Sequence, residues 1–294
     1  MSIPDKLSER LTEAAAQVEK AFHGLPWLFR KDDLQAGHCL YSLTAGGKRL
    51  RPFLVLESCR AAGGDTQAAL PAACAVEMIH TYSLIHDDLP GMDDDDLRRG
   101  KPSLHKICGT CSALYAGDRL LLEAFRTLIS TPLSEQTRRW MLLKLASAAG
   151  AGYLAGGQFM DMYHPSEADR TWTEKMMKGK TSAMIRVSME LGALTAGMKP
   201  SELEPVSAAG DDIGWLFQLT DDILDVTGSR EEMGKAVAKD SDMGKWNPVS
   251  ELGEKKAAEL AFSRSEELVS ALRGLPGDWE AVAALVRYLP ERRK

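Results

Sequence analysis

The amino-acid sequence predicts an all-α protein folded as a single large helical bundle. Three observations predict it. Apolar residues return at steps of three and four along most of the chain, the repeat of one helix face. No series of alternating runs rich in valine, isoleucine and threonine lies between hairpin turns, as a sheet would need. Glycine and proline cut the chain into helix-length blocks at Gly63-Gly64, Pro90-Gly91, Pro132, Pro165, Pro200, Gly228 and Gly274.

The first block carries Leu7, Leu11, Ala14, Val18 and Phe22 on one face, with Pro4 and Asp5 as its start. Residues 114–128, 140–149, 180–195, 208–226, 254–272 and 279–289 read the same way. No repeat of fixed period and no low-complexity linker divides them. Residues 1–294 therefore read as one domain of roughly ten helices.

Composition narrows the function. Apolar residues make up 44% and charged residues 27%, which suits a water-facing globular chain. A net charge of −6 leaves no wholesale basic surface for nucleic acid. No apolar run reaches the ~18 to 20 residues of a bilayer span. The first twenty residues are charged and amphipathic, without the apolar centre of a signal peptide. The five cysteines are an odd number and read as reduced thiols, so the expected location is cytoplasmic. Cys108 and Cys111 form C-x-x-C, but no second pair completes a zinc site and no strand precedes them. They read as two small residues on one helix face.

Two acidic clusters carry the chemistry: D-D-L-P-G-M-D-D-D-D from Asp87 to Asp96, and D-D-I-L-D from Asp221 to Asp225. A run of charges is ordinarily a solvated face, yet both follow strongly apolar stretches. Met78, Ile79, Tyr82, Leu84 and Ile85 precede the first; Trp215, Leu216, Phe217 and Leu219 precede the second. Like charges ~4 Å apart repel by about 1 kcal/mol in water and about 4 at an effective dielectric of 20. Carboxylates gathered at the mouth of a core need cations. Asp221 and Asp225, four apart, share a helix face. Asp87 and Asp93, six apart, diverge by about 240° on a regular helix and converge only if the chain turns at Pro90-Gly91.

Zinc would ask for histidine and cysteine. A calcium loop fails because Leu97 takes the place of an acidic ligand and no glutamate closes it. Magnesium fits, since it takes few carboxylates and bridges to substrate phosphates. Basic groups for those phosphates cluster at Gly46-Gly47-Lys48-Arg49-Leu50-Arg51-Pro52, at Arg98-Arg99-Gly100-Lys101, and at Lys180, Lys235, Lys239 and Lys245. Gly179-Lys180-Thr181 lacks the upstream glycine and the strand of a nucleotide-binding loop. His86 faces about 100° away from Asp87 on a helix and reads as a packing residue. Asp118 reads as an ordinary capping or hydrogen-bonding residue, and the same reading is open for Gln158, Asp161 and Gln218.

These motifs, in this order, resemble the trans-isoprenyl diphosphate synthases, of the bacterial farnesyl diphosphate synthase type. They are G-G-K-R-L-R-P; H-T-Y-S-L-I-H-D-D-L-P-G-M-D-D-D-D-L-R-R-G-K-P; A-G-D; G-G-Q-F-M-D; G-K-T; and F-Q-L-T-D-D-I-L-D. The resemblance implies one helical domain around a deep cavity, a homodimer and about three Mg2+ ions. It implies Asp87, Asp88 and Asp93 as metal ligands on one wall, with Asp221, Asp222 and Asp225 opposite, Asp221 and Asp225 being ligands there. Lys48, Arg51, His80 and Arg99 match a site for isopentenyl diphosphate. Arg98, Lys180, Gln218, Lys235 and Lys245 match residues that hold an allylic diphosphate, and Thr181 one that steadies a developing carbocation. One segment departs from the pattern: Gly244-Lys245-Trp246-Asn247-Pro248 lacks a threonine and reaches proline one residue early, and Ala238-Lys239-Asp240 lacks a common glycine.

The implied reaction ionises the allylic diphosphate and adds the isopentenyl double bond to the cation, with pyrophosphate as the base and water excluded. Residues 228–253 and the tail from Arg292 are lid candidates. Tyr82 and Ser83 precede Asp87 by five and four residues, so they lie one turn deeper, where a growing hydrocarbon must pass. Farnesyl-type members have an aromatic residue at the place of Tyr82, which would end growth at fifteen carbons. Geranylgeranyl diphosphate is the alternative product; a terpene cyclase and a non-catalytic synthase subunit are the remaining readings.

Overall fold

The computed structural model describes residues 4–26, 33–163, 165, 169–231 and 248–292. Among them are fourteen α-helices and one two-stranded hairpin. The all-α expectation holds, with more and shorter helices than the periodicity implied. In chain order they are α1 (Asp5–Gly24), α2 (Leu34–Leu43), α3 (Leu50–Ala61), α4 (Thr66–Asp87), α5 (Leu104–Cys108), α6 (Thr110–Ile129) and α7 (Glu135–Ala149). Then come α8 (Leu154–Met162), α9 (Arg170–Met177), α10 (Ala183–Thr195), α11 (Glu204–Glu231), α12 (Pro248–Leu252), α13 (Glu254–Arg273) and α14 (Glu280–Tyr288). The hairpin pairs β1 (Leu97–Arg98) with β2 (Lys101–Pro102), antiparallel.

Helix α4 forms the centre, packed against α1, α3, α6 and α10, while α10 meets α3, α7 and α11. Residues 72–79 are buried without interruption, so α4 is apolar around its whole circumference rather than along a stripe. Its length and composition would allow it to cross a bilayer, contrary to the expectation that no segment would. Here that apolarity is spent on packing against α1, α3, α6 and α10, and against α2. At ~25 cal/mol per Å2, each fully buried Ile79 or Met78 side chain contributes about 2 to 3 kcal/mol.

Two expectations fail. Gly228 does not break the chain, because α11 runs on to Glu231. A lone glycine costs a helix only about 1 kcal/mol, and α11 packs elsewhere on α10 and α13. Cys108 and Cys111 do not share one helix: Gly109, at φ 81°, separates the end of α5 from the start of α6. All five cysteines are free thiols.

Candidate active site

Helix α4 ends at Asp87, and the chain turns back at once. Met92 N–H donates to Leu89 C=O at 2.9 Å, and Asp93 N–H donates to Asp87 C=O at 2.9 Å. The break expected at Pro90-Gly91 is therefore real, and it brings Asp93 beside Asp87. Burial pushes the Asp87 carboxyl up to about 6, against the pull of Lys180. Asp88 is also raised by burial, and Arg98 opposes this by donating from Nε at 2.9 Å and again from Nη2. Arg98 reaches Asp95 as well, at 3.3 Å. The hairpin delivers Arg98 and Arg99: its turn residues Arg99 and Gly100 both have positive φ, the geometry that suits a two-residue loop.

Tyr82 is 9% exposed, one turn below Asp87, with its ring edge-on to His86 at 5.7 Å. Ser83 turns its hydroxyl back to His80 C=O at 3.0 Å. His86 packs on α6, where its Nε2 lies 3.1 Å from Leu114 C=O, and Asp118 approaches it at 3.8 Å. His86 is thus a packing residue, as its position on the helix implied.

The segment holding Lys180 and Thr181 is not regular helix. Residues Lys178–Ser182 form a π-helical turn between α9 and α10, a widening often found at functional sites. Gly157 of α8 makes room for it, since a Cβ there would stand 2.4 Å from Lys180 N. Lys180 Nζ donates to Asp161 Oδ2 at 2.6 Å while acting on Asp87. Thr181 donates to Gln218 Oε1 at 3.0 Å, and Gln218 Nε2 donates to Asp222 Oδ1 at 3.0 Å. Hydrogen bonds thus link the π turn to the second cluster on α11, while the charge of Lys180 reaches Asp87 of the first. Gln158 lies nearby with both amide atoms buried and unpartnered among the described residues.

Behind the second cluster opens a cavity of about 380 Å3. Lys48, Arg51, His80 and Arg99 all line it. Burial and the surrounding arginines, Arg51 and Arg99 foremost, drive the His80 imidazole well below its ordinary range, so it is neutral at pH 7. Gly47, at φ 116°, lies against Arg99: a Cβ there would stand 2.8 Å from Arg99 Cζ. The buried Nε of Arg51 has no hydrogen-bond partner among the described residues. A concentration of cations with spare buried donors is a site for a multiply charged oxyanion.

The chain matches the family model described as polyprenyl synthetase over residues 34–263. It belongs to the polyprenyl synthetase family. It is 38% identical to a farnesyl diphosphate synthase of Micrococcus luteus over 258 residues, covering 86% of this chain and 88% of that one. It is 43% identical to a chloroplastic geranylgeranyl pyrophosphate synthase of Capsicum annuum over 257 residues, covering 86% of this chain and 70% of that one. An apo crystal structure described as an FPP/GFPP synthase from Zymomonas mobilis superposes with a TM-score of 0.85 at 30% identity, covering 97% and 99% of the two chains. The protein is a transferase of the trans-prenyltransferase type with the isoprenoid synthase fold.

Polyprenyl synthetases use a divalent metal, and the donor set here fits one. All five expected ligands are aspartates, hard oxygen donors. Asp87 forms no ion pair with any described side chain, while Asp225 is exposed on α11. Asp88 and Asp221 are each held by an arginine. Among the described residues no three acidic, histidine or cysteine side chains could hold an ion by themselves. Such partial sets suit a cation that completes its shell with water and phosphate.

Sequence reasoning passed over Glu77 and left the parts played by Arg49 and Arg292 unread. Glu77 is a buried carboxylate in the cavity wall. Arg49 is 3% exposed and bonded to it, although it was visible only as part of a basic run. Arg292, read as part of a lid, is buried instead. It donates to Phe217 C=O at 2.9 Å, Thr220 Oγ1 at 2.6 Å and Asp221 Oδ1 at 2.6 Å, and stacks over the Phe217 ring. Asp221 is raised by burial, with Arg292 opposing. Lys235, Lys245, the atypical segment before Pro248, and the last two residues of the tail lie outside the described residues.

Proposed function

We propose that this chain is a chain-elongating prenyltransferase that condenses isopentenyl diphosphate with an allylic diphosphate to give mainly farnesyl diphosphate. The observation that carries this reading is the second anion site. Lys48, Arg51, His80 and Arg99 line one cavity, apart from the acidic clusters. A terpene cyclase handles one diphosphate and has no use for it; an elongating enzyme handles two.

Mg2+, about three ions by resemblance to the family, would be held by Asp87, Asp88, Asp93, Asp221 and Asp225 and would supply neutralisation of the departing diphosphate. Around it the chain's own residues divide the work. Lys180 and Arg98 hold the allylic diphosphate, with Lys235 and Lys245 assigned there by resemblance. Gln218, bonded to Asp222, is assigned with them to the allylic diphosphate, and the Thr181 hydroxyl, fixed on Gln218, presents its oxygen dipole to the developing carbocation. Lys48, Arg51 and Arg99 hold the second diphosphate, and neutral His80 donates one hydrogen bond to it from its ring N–H. Pyrophosphate itself takes the final proton. Pyrophosphate release from isopentenyl plus geranyl diphosphate, dependent on Mg2+, is the expected result; release from geranyl diphosphate alone would make this a cyclase.

Product length rests on Tyr82. Its buried ring, one turn below Asp87, supports a floor that stops growth at fifteen carbons. Tyr82→Ala should lengthen the products by at least one five-carbon unit, read by chromatography of dephosphorylated products. The geranylgeranyl reading is favoured by relatives such as the Capsicum annuum protein, which carries that name. A wild type yielding mostly twenty-carbon chains would establish it.

The homodimer is supported by an apolar exposed stripe, Leu114, Tyr115, Leu122 and Ile129 of α6 beside Trp140 and Leu143 of α7. Light scattering should give twice the chain mass, falling to one chain for Leu122→Glu. The cytoplasm is the proposed location.

A further inference from the structure

Glu77 lies on α4, one turn before His80, and is 2% exposed in the wall of the cationic cavity. Two guanidinium groups come to it. Arg49 Nη1 donates to Glu77 Oε1 at 2.5 Å, and Arg99 Nη2 stands 3.8 Å from the same oxygen. Arg51 feels the same carboxylate. The arginines arrive from different segments: Arg49 and Arg51 from the start of α3, Arg99 from the hairpin turn.

Arg49 and Arg99 are also two of the three non-glycine residues with positive φ among the described residues, at 49° and 54°. Such backbone persists only where the surroundings over-determine it. Arg49 is further fixed through Nη2 to Leu43 C=O, and Arg99 through Nη1 to Gly46 C=O. A hairpin with two residues per strand cannot aim Arg99 by itself. After Glu77 is served, the buried Nε atoms of Arg49 and Arg51 remain without a partner among the described residues.

We infer that Glu77 is the positioning residue of the second diphosphate site: one buried carboxylate ties Arg49 and Arg99 to a common point and so holds Arg99 and the Arg49–Arg51 segment, with its unpartnered Nε donors, around the cavity. The inference rests on the proposed isopentenyl diphosphate site. It opposes simple electrostatics. Removing a negative charge from beneath a cationic cavity should strengthen its hold on an anion; losing the aim of two arginine forks should weaken it.

The sign is therefore the test. Glu77→Gln keeps the shape and an acceptor oxygen and removes the charge. The KM for isopentenyl diphosphate should rise about tenfold, with the KM for geranyl diphosphate changed less than twofold. In the same variant, Arg99→Ala should add less than twofold, because its aim is already lost. Stabilisation by inorganic pyrophosphate alone, read as a metal-free thermal shift, should shrink in parallel. A KM for isopentenyl diphosphate that is unchanged or lower, or equal rises for both substrates, overturns the assignment. Should Glu77→Gln fail to fold, Arg49→Lys, which keeps the charge and loses the fork, should move the same KM ratio in the same direction; an unchanged ratio overturns it. Arg51→Ala is read separately: equal effects on both substrates there would remove the isopentenyl diphosphate site itself, whatever Glu77 does.

Discussion

The two charged regions of this molecule are built to opposite plans. The cationic cavity is finished before any substrate arrives. Its arginines are hydrogen-bonded to backbone carbonyls and to a buried glutamate, and its backbone accepts positive φ at Arg49 and Arg99 to put them there. Each such residue costs of order 1 to 3 kcal/mol. The acidic region is unfinished. Burial disfavours the charged forms of Asp87, Asp88 and Asp221, and two of these lean on arginines. On the proposed function, one region recognises a diphosphate by itself, and the other becomes a site only together with metal and substrate. The difference teaches where rigidity is useful. Under that proposal, a cavity that orients a reactive double bond gains from a fixed frame, whereas a site that releases pyrophosphate must come apart at every turnover.

The largest effect should come from breaking the unfinished region. Asp87→Ala and Asp221→Ala should each lower kcat by at least 10³-fold, about 4 kcal/mol of barrier, with the helical circular dichroism unchanged. If Asp221→Ala kept a tenth of the wild-type rate, α11 would not be a metal-bearing wall, and the contrast between the regions would fail.

A second prediction sharpens the contrast through stability. The folded chain holds the Asp87 proton up to about pH 6, against 3.8 for an ordinary aspartate. The stability linked to that proton is complete below pH 3.8 and is lost as the pH rises through 6. At pH 8 the ionised carboxylate therefore costs the metal-free fold up to about 3 kcal/mol. Asp87→Asn, inactive, should melt higher than wild type at pH 8 without metal, and the gap should close towards pH 4. Equal melting at both pH values would mean that Asp87 is not desolvated.

The smallest effect concerns the finished region. Gly47→Ala places a methyl group against Arg99 on backbone that alanine adopts poorly. The KM for isopentenyl diphosphate should rise several-fold, with about 1 kcal/mol lost in urea unfolding. The KM for the allylic substrate should stay within twofold. An equal change in both would show that the two regions are not independent.

Much of this was legible in the sequence because it is local. Leu7, Leu11, Ala14, Val18 and Phe22 mark a helix face within one helix, and Pro90-Gly91 marks a turn within one loop. The paired aspartates and the basic runs were visible for the same reason, since charge of one sign gathered in a few residues needs a counter-charge. The hairpin escaped notice because two residues per strand are too few to show a period. The end of α11 was misplaced because a glycine reads as a break, although it costs a helix only about 1 kcal/mol.

The amino-acid order thus determined the helices and the two acidic clusters with their need for counter-charge. Tertiary structure alone decided which charges meet. Glu77 looks like any glutamate inside an apolar helix, and its partners Arg49 and Arg99 lie 28 and 22 residues further back or on in the chain. Arg292, 71 residues beyond Asp221, reads as a frayed tail until packing of α14 lays it across the Phe217 ring. The physical reason is range. Helix propensity and capping act over a few neighbours, whereas a buried ion pair exists only once the surrounding core has removed the water between residues distant in sequence.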